Sequence, residues 1–224
     1  MQPATAGGAS CFVGLVLSFG MQYPADFWNE RYAGDEFVYG REPNRFFEQE
    51  MKRLKPGKLL LPCEGKDGTR YGRHGTVGKC RPLIRAAWAN KSRVAGPGIR
   101  RDDRLPRVVD ARPPYPAGSF DVLALIYAHF PETQRRGWHE LLGCLVKPGG
   151  LVLVEAFSKK QLQYQQKYRS GGPGDASLLY WGDEVRNDFR EFETIRISES
   201  EVTLQEGAHH EGQAHVVRFV GRKV

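Results

Sequence analysis

Paired cysteines are missing from this 224-residue chain. Its four (Cys11, Cys63, Cys80 and Cys144) are scattered and share no CxxC spacing, which argues against a disulfide frame or a zinc site and for reduced thiols in a cytoplasmic protein. Long hydrophobic runs are missing too. The longest, Cys11–Phe19, is too short to span a bilayer, and no basic stretch precedes it as a secretory signal requires. The GxGxxG fingerprint is absent, which argues against a nicotinamide-dependent Rossmann oxidoreductase. Aromatic residues are scarce where positive charge is dense. Residues 66–106 hold eleven lysines and arginines against three aspartates, with aromatic side chains only at Tyr71 and Trp88. A single-strand nucleic-acid surface interleaves more stacking rings among its charges, although a nucleic-acid-binding or non-catalytic protein built on this segment is the alternative reading. The formal net charge of +7 therefore belongs to one segment, and the remaining chain sums to −1.

What is present fits one α/β domain with a sizeable core, at 40% hydrophobic and 26% charged residues. Met1–Gly20 is small, apolar and glycine-rich without helical or strand period. It is expected to be disordered, or the natural start to be Met21, leaving 21–224 as a single domain. Tyr23–Tyr39 opens with Pro24 and Asp26 as helix-entry signals, and its aromatics read more readily as core than as a ligand cage. Glu42–Leu54 is a second amphipathic helix, with Phe46, Phe47, Met51 and Leu54 on one face. Leu59–Leu61 reads as a short buried strand leading into a glycine turn. Phe120–Tyr127 and Leu151–Ala156 are apolar runs of strand length, separated by a helical pattern over Thr133–Leu145 and a turn at Lys147–Gly150. A helix is predicted over Leu178–Phe189, and strands over Thr194–Ser200, Glu201–Glu206 and Ala214–Val220, the last two closing a hairpin around Gly207–Gly212. Strand, helix and strand joined by short connections give a Rossmann-like, mostly parallel sheet with helices on both faces and an antiparallel C-terminal hairpin edge.

At this point the residues resemble a known family. FWNERYAGDEFVYGREPNRFF (Phe27–Phe47), LLLPCEG (Leu59–Gly65), RVVDA (Arg107–Ala111), GSFDVLALIYAHFP (Gly118–Pro131), LVKPGGLVLVEAF (Leu145–Phe157) and EGAHHEG (Glu206–Gly212) are together similar to the TehB-like branch of class I S-adenosylmethionine-dependent methyltransferases. The resemblance implies that Pro62, Cys63, Glu64 and Gly65 carry the methionine half of the cofactor, on a turn whose glycine lets the backbone approach closely. It implies that Asp110 and Ala111 contact the adenine, and that Tyr127 stands on the wall near the sulfonium. It implies a small nucleophilic acceptor, of thiol or chalcogen oxyanion type, with neither a membrane nor nucleic acid as partner.

Candidate catalytic groups are Tyr39, His129, Glu155 and His210, with Tyr32 and His209 beside them. Each has a plainer reading as well. His129 fits an active-site group or a solvated loop residue, Glu155 a site acid or an exposed strand end, and Asp110 an adenine contact or a strand-end turn. The His209–His210 pair fits a site wall or a solvated hairpin tip. No carboxylate or cysteine lies at ligand spacing from these histidines, so no metal is expected.

Between Lys66 and Pro106 the resemblance stops. The family pattern continues with EGRN, a helix and a second strand ending in an acid for the ribose hydroxyls, whereas this chain shows KDGTRYGRHGTVGKCRPLIRAAW. A genuine insertion, a disordered basic loop and a shifted reading frame all fit. The genetic code favours the third. Joining the last base of each codon to the first two of the next, from Gly65–Lys66 onward, permits EGRNAVWAARHGWEV followed by SAFD, which restores the glycine turn, an alanine-rich helix and a strand ending in aspartate. Without that segment the cofactor site is expected to be crippled.

Overall fold

The computed structural model describes Tyr39 and residues 42–55, 57–62 and 115–224. The expectations for Met1–Gly20, for a helix over Tyr23–Tyr39 apart from Tyr39 itself, for Tyr32, for Cys63, Glu64 and Gly65, for 66–106, and for Asp110 and Ala111 lie outside the described residues. Five strands form one sheet in the order β1-β2-β3-β5-β4: β1 Leu59–Leu60, β2 Phe120–Ile126, β3 Val146–Phe157, β4 Phe192–Gln205 and β5 Glu211–Lys223. β1, β2 and β3 are parallel, while β5 runs antiparallel to both β3 and β4. β4 therefore points the same way as the parallel strands. The β4–β5 hairpin tip consequently lies at their carboxyl edge, with Gln205 opposite Glu211.

Alternating side chains divide the core between the two faces of the sheet. Helix α1 (Arg45–Met51) lays Phe46 and Phe47 against Leu59, Val122, Ala124 and Leu153. On the other face α2 (Glu132–Cys144) and α4 (Gly182–Asp188) cover Leu60, Leu123, Leu125, Val152 and Val154 with Trp138, Leu142, Val185 and Phe189. Helix α3 (Gln161–Tyr168) packs beside β5, its Leu162 reaching the small cluster of Phe157, Leu204 and Val216. Helices thus flank both faces of a mixed sheet, as the alternation of apolar runs predicts.

Several boundaries differ from the sequence expectation, each for a local reason. The turn at Lys147–Gly150 is an excursion inside β3: Val146 pairs with Phe120, and pairing resumes at Leu151 opposite Val122. Gly149 has φ +75°, and a methyl group on Gly150 would press on the Asp121 carbonyl. The predicted helix over Leu178–Phe189 begins only at Gly182. Ala176–Leu178 forms a short 3₁₀ turn whose entry Asp175 caps, accepting the Ser177 amide at 2.8 Å, and Leu179–Trp181 is extended. The two strands expected over Thr194–Ser200 and Glu201–Glu206 are one continuous β4, kinked by a register shift at Ile195. The helix expected over Glu42–Leu54 is confined to Arg45–Met51, because Asn44 caps it by accepting the Phe47 amide at 2.8 Å.

Candidate functional site

The carboxyl edge gathers side chains from five parts of the chain. Pro62 is buried two residues beyond β1, and Tyr127 follows β2 directly. Tyr127 has φ +50°, a left-handed conformation that bulky residues adopt at a cost of about 1–3 kcal/mol and that clusters at functional sites. The twist turns the chain sharply out of the sheet while the Tyr127 amide still bonds Glu155 O at 2.8 Å. Its ring stacks on Phe157, centroid to centroid 4.7 Å. From the hairpin tip His210 inserts between these rings and Tyr39, 4.5 Å from Tyr127, 5.2 Å from Phe157 and 4.7 Å from Tyr39.

The two histidines of the tip part company. His210 is buried, whereas His209 is exposed, its ring 6.1 Å from that of Tyr39. Gly171 and Gly172, at φ +83° and +93°, carry a loop directly beneath this tip. A methyl group at Gly171 would sit 1.8 Å from the His209 carbonyl oxygen, so only glycine allows the approach. Gln161 holds the same loop, donating to Ser170 Oγ at 2.9 Å and Gly171 O at 3.0 Å while accepting the His215 amide of β5 at 2.8 Å.

Beneath the rings lies a polar layer. Glu155 is 1% exposed, so it is a buried acid and not a strand-end one. Its two oxygens are taken by Asn44 Nδ2 at 2.6 Å and by the Arg218 guanidinium. Burial pushes its carboxyl above the ordinary range, against the pull of Arg218 and Asn44. Glu206 accepts from the same Asn44 nitrogen at 2.9 Å, and its other oxygen lies 3.7 Å from His210 Nδ1. The Tyr127 hydroxyl is buried near Glu155, though without hydrogen-bond geometry. Burial and the two carboxylates raise its pKa well above that of a free phenol, so it remains a neutral donor. Asn44, Glu206, Arg218 and Gln161 are members of this layer that sequence reasoning did not single out.

His129 stands at the same edge, stacked on Phe157 at 5.7 Å, but the fold uses both of its ring nitrogens. The Leu178 carbonyl, 2.6 Å from Nδ1, can only accept, so Nδ1 carries the proton and Nε2 accepts the Phe157 amide at 3.4 Å. Burial lowers its pKa to about 4. A neutral imidazole with both nitrogens engaged ties the β2 exit to the end of β3 and leaves no lone pair for a substrate proton.

With this geometry in view, solved structures supply a match. A SAM-dependent methyltransferase from Methanosarcina mazei superposes over 82% of this chain and 99% of its own, at TM-score 0.50 and 11% identity. The fold is that of S-adenosylmethionine-dependent methyltransferases. A protein solved in work on conversion of a disulfide bond into a thioacetal group during echinomycin biosynthesis matches over 81% of this chain and 83% of its own, at TM-score 0.51 and 14% identity. TehB from Haemophilus influenzae matches over 89% and 67%, at TM-score 0.46 and 11% identity, a superposition too loose to single out a branch. No protein-family model matches the sequence, and neither does any curated protein.

The described part of this carboxyl edge suits a cationic group. It offers the rings of Tyr39 and Tyr127, the latter backed by the fully buried Phe157, with two carboxylates behind them, and the nearby guanidinium of Arg218 is already paired with Glu155. Among the described residues no cluster of His, Cys, Asp or Glu could hold a metal ion, and no helix is long and apolar enough to cross a membrane.

The neutral His129 has a measurable consequence. Its folded-state pKa of about 4 lies below the ordinary imidazole value of 6.5. The unfolded chain therefore binds the extra proton first as pH falls. Its contribution to stability is complete above about pH 6.5, is lost between 6.5 and about 4, and amounts to about 3 kcal/mol. In urea unfolding followed across that window, His129→Phe is expected to flatten the wild-type slope by this amount. An unchanged slope contradicts the assignment of a neutral, structural His129.

Proposed function

We propose that the chain is an S-adenosylmethionine-dependent methyltransferase, residues 21–224 forming its one domain, acting on a small nucleophilic acceptor in the cytoplasm. The observation that carries this reading is the convergence of the β1, β2 and β3 carboxyl ends and the β4–β5 tip on one edge, in a fold shared with such enzymes. Open α/β sheets bind their ligands at that edge.

Pro62, Cys63, Glu64 and Gly65 are assigned to the methionine half of the cofactor, and Asp110 and Ala111 to the adenine. The burial of Pro62 immediately beyond β1 supports the first assignment. Tyr127 is assigned to the wall beside the sulfonium, supported by its left-handed backbone and stacked ring. The cofactor supplies an activated methyl group for in-line transfer. The protein's share is chiefly proximity and alignment: Tyr39 and Tyr127 orient through their rings, Phe157 backs Tyr127, and the Glu155–Arg218 pair lies beneath them. Of the acceptor-side candidates Tyr39, His129, Glu155 and His210, the buried and carboxylate-facing His210 is the one we place next to the acceptor. His129 serves as a brace.

A thiol or a chalcogen oxyanion of the TehB-like type is the acceptor class the family resemblance favours. Calorimetric titration with S-adenosylhomocysteine is expected to give saturable heat, weak in this chain and stronger in the frame-restored one, and the same titration with NADH none in either. Binding of NADH in place of S-adenosylhomocysteine overturns the reading.

A further inference from the structure

The side chain of Asn44 reaches three separate parts of the fold. Its oxygen accepts the Phe47 amide at 2.8 Å and caps α1, while its nitrogen donates to Glu155 Oε1 at 2.6 Å and to Glu206 Oε1 at 2.9 Å. Helix capping needs only the first of these contacts. The other two join the start of α1 to β3 and to the hairpin tip, and Asn44 is 3% exposed where it makes them. Two carboxylates this close repel unless a donor stands between them. Arg218 answers Glu155 alone, so Asn44 is the described side chain that bridges both acids. Glu206, held there, presents its second oxygen to His210 Nδ1 at 3.7 Å.

We propose that Asn44 is a positioning residue of the methyl-transfer site: its amide holds Glu155 and Glu206 side by side and thereby fixes the hairpin tip, with His210, over the carboxyl edge. The catalytic consequence rests on the methyltransferase reading, whereas the positioning itself does not. The choice of asparagine carries the argument. Aspartate caps a helix equally well, but only the amide can also donate to two acids.

Asn44→Asp isolates the second role, because it keeps the cap and sets a third carboxylate against the other two. In the full-length chain without ligand, the Glu206 and His210 amides, which bond His210 O and Gly207 O, are expected to exchange hydrogen faster by about tenfold or more, the scale of one lost charge-assisted bond. The His210 imidazole NMR signals should shift, while α1 amide exchange stays as in wild type. Adding Glu206→Gln to Asn44→Asp returns a donor to the pair from the opposite side, with its amide oxygen left to face His210. This double variant is expected to recover exchange to within about threefold of wild type, since one of the two bridging bonds is restored. A single variant with wild-type hairpin exchange and His210 signals, or a double variant no better than the single one, overturns the proposal. S-adenosylhomocysteine titration of this chain and of the frame-restored one keeps the two ideas apart: no binding by either defeats the methyltransferase reading and leaves the exchange result standing.

Discussion

Asp188→Ala is expected to lower the unfolding free energy by about 3–5 kcal/mol, the cost of removing one partner from a buried ion pair. Asp188 accepts from Arg135 Nε at 2.8 Å and from His139 Nδ1 at 2.9 Å, joining α2 to α4. Burial alone would raise its carboxyl, yet the bonds from His139 and Arg135 hold it below the ordinary range. Burial lowers the His139 pKa against the pull of Asp188, so His139 is a neutral donor here and Arg135 is the cation of this network. The Arg135 side chain is only 7% exposed, and without Asp188 its remaining carboxylate is Glu184, at 3.3 Å. Glu184 is already shared with the Lys159 ammonium at 2.8 Å and the Trp181 amide at 2.8 Å.

Urea denaturation checks the value. Asp188→Asn, which keeps one acceptor, is expected to lose less than Asp188→Ala. Combining Asp188→Ala with Arg135→Met should recover part of the loss, because the stranded charge leaves with its partner. A loss below about 1 kcal/mol for Asp188→Ala, no more than an exposed pair contributes, refutes the role given to this network.

The elements that could be read in the sequence are those whose signal is local. Val122–Ile126 is an unbroken apolar run, and it lies in a strand buried on both faces. Pro148-Gly149-Gly150 announces a chain reversal, but not that β3 would absorb it and continue. Helix α3 is hard to see because QLQYQQKY buries only Gln161 outright, and that side chain is chosen for its hydrogen bonds to Ser170, Gly171 and His215. Apolar periodicity is blind to a helix held by an amide. At the site, Tyr127, Glu155 and His210 stand out as polar residues next to strand ends. The contacts that organise them span 111 residues from Asn44 to Glu155 and 162 from Asn44 to Glu206, and no local pattern encodes such a pairing. The different fates of His209 and His210 are likewise set by the hairpin geometry and by the loop at Gly171, not by their identical chemistry.

Restoring the alternative reading frame from about Lys66 to a point before Arg107 is expected to tighten S-adenosylhomocysteine binding by about 100-fold, the worth of roughly two charge-assisted hydrogen bonds. The reason lies in the sheet order. In a doubly wound sheet the strand after the first crossover helix adds beside the first strand, on the side away from the switch point. Among the described residues β1 pairs with β2 alone, so its other side is the place such a strand would occupy. The restored sequence supplies an alanine-rich helix and then a strand ending in aspartate, which sets a carboxylate at the carboxyl edge for the ribose hydroxyls, together with the Gly-Arg-Asn half of the turn after Gly65. The present sequence supplies instead eleven lysines and arginines over 66–106, and burying any of them unpaired costs several kcal/mol. The same restoration should therefore raise the melting temperature as well as the affinity, and calorimetry and thermal denaturation of the two chains side by side measure both. Equal affinity in the two chains, or a resequenced gene with the present frame intact, refutes the frame shift while leaving the carboxyl-edge site of β1, β2 and β3 in place.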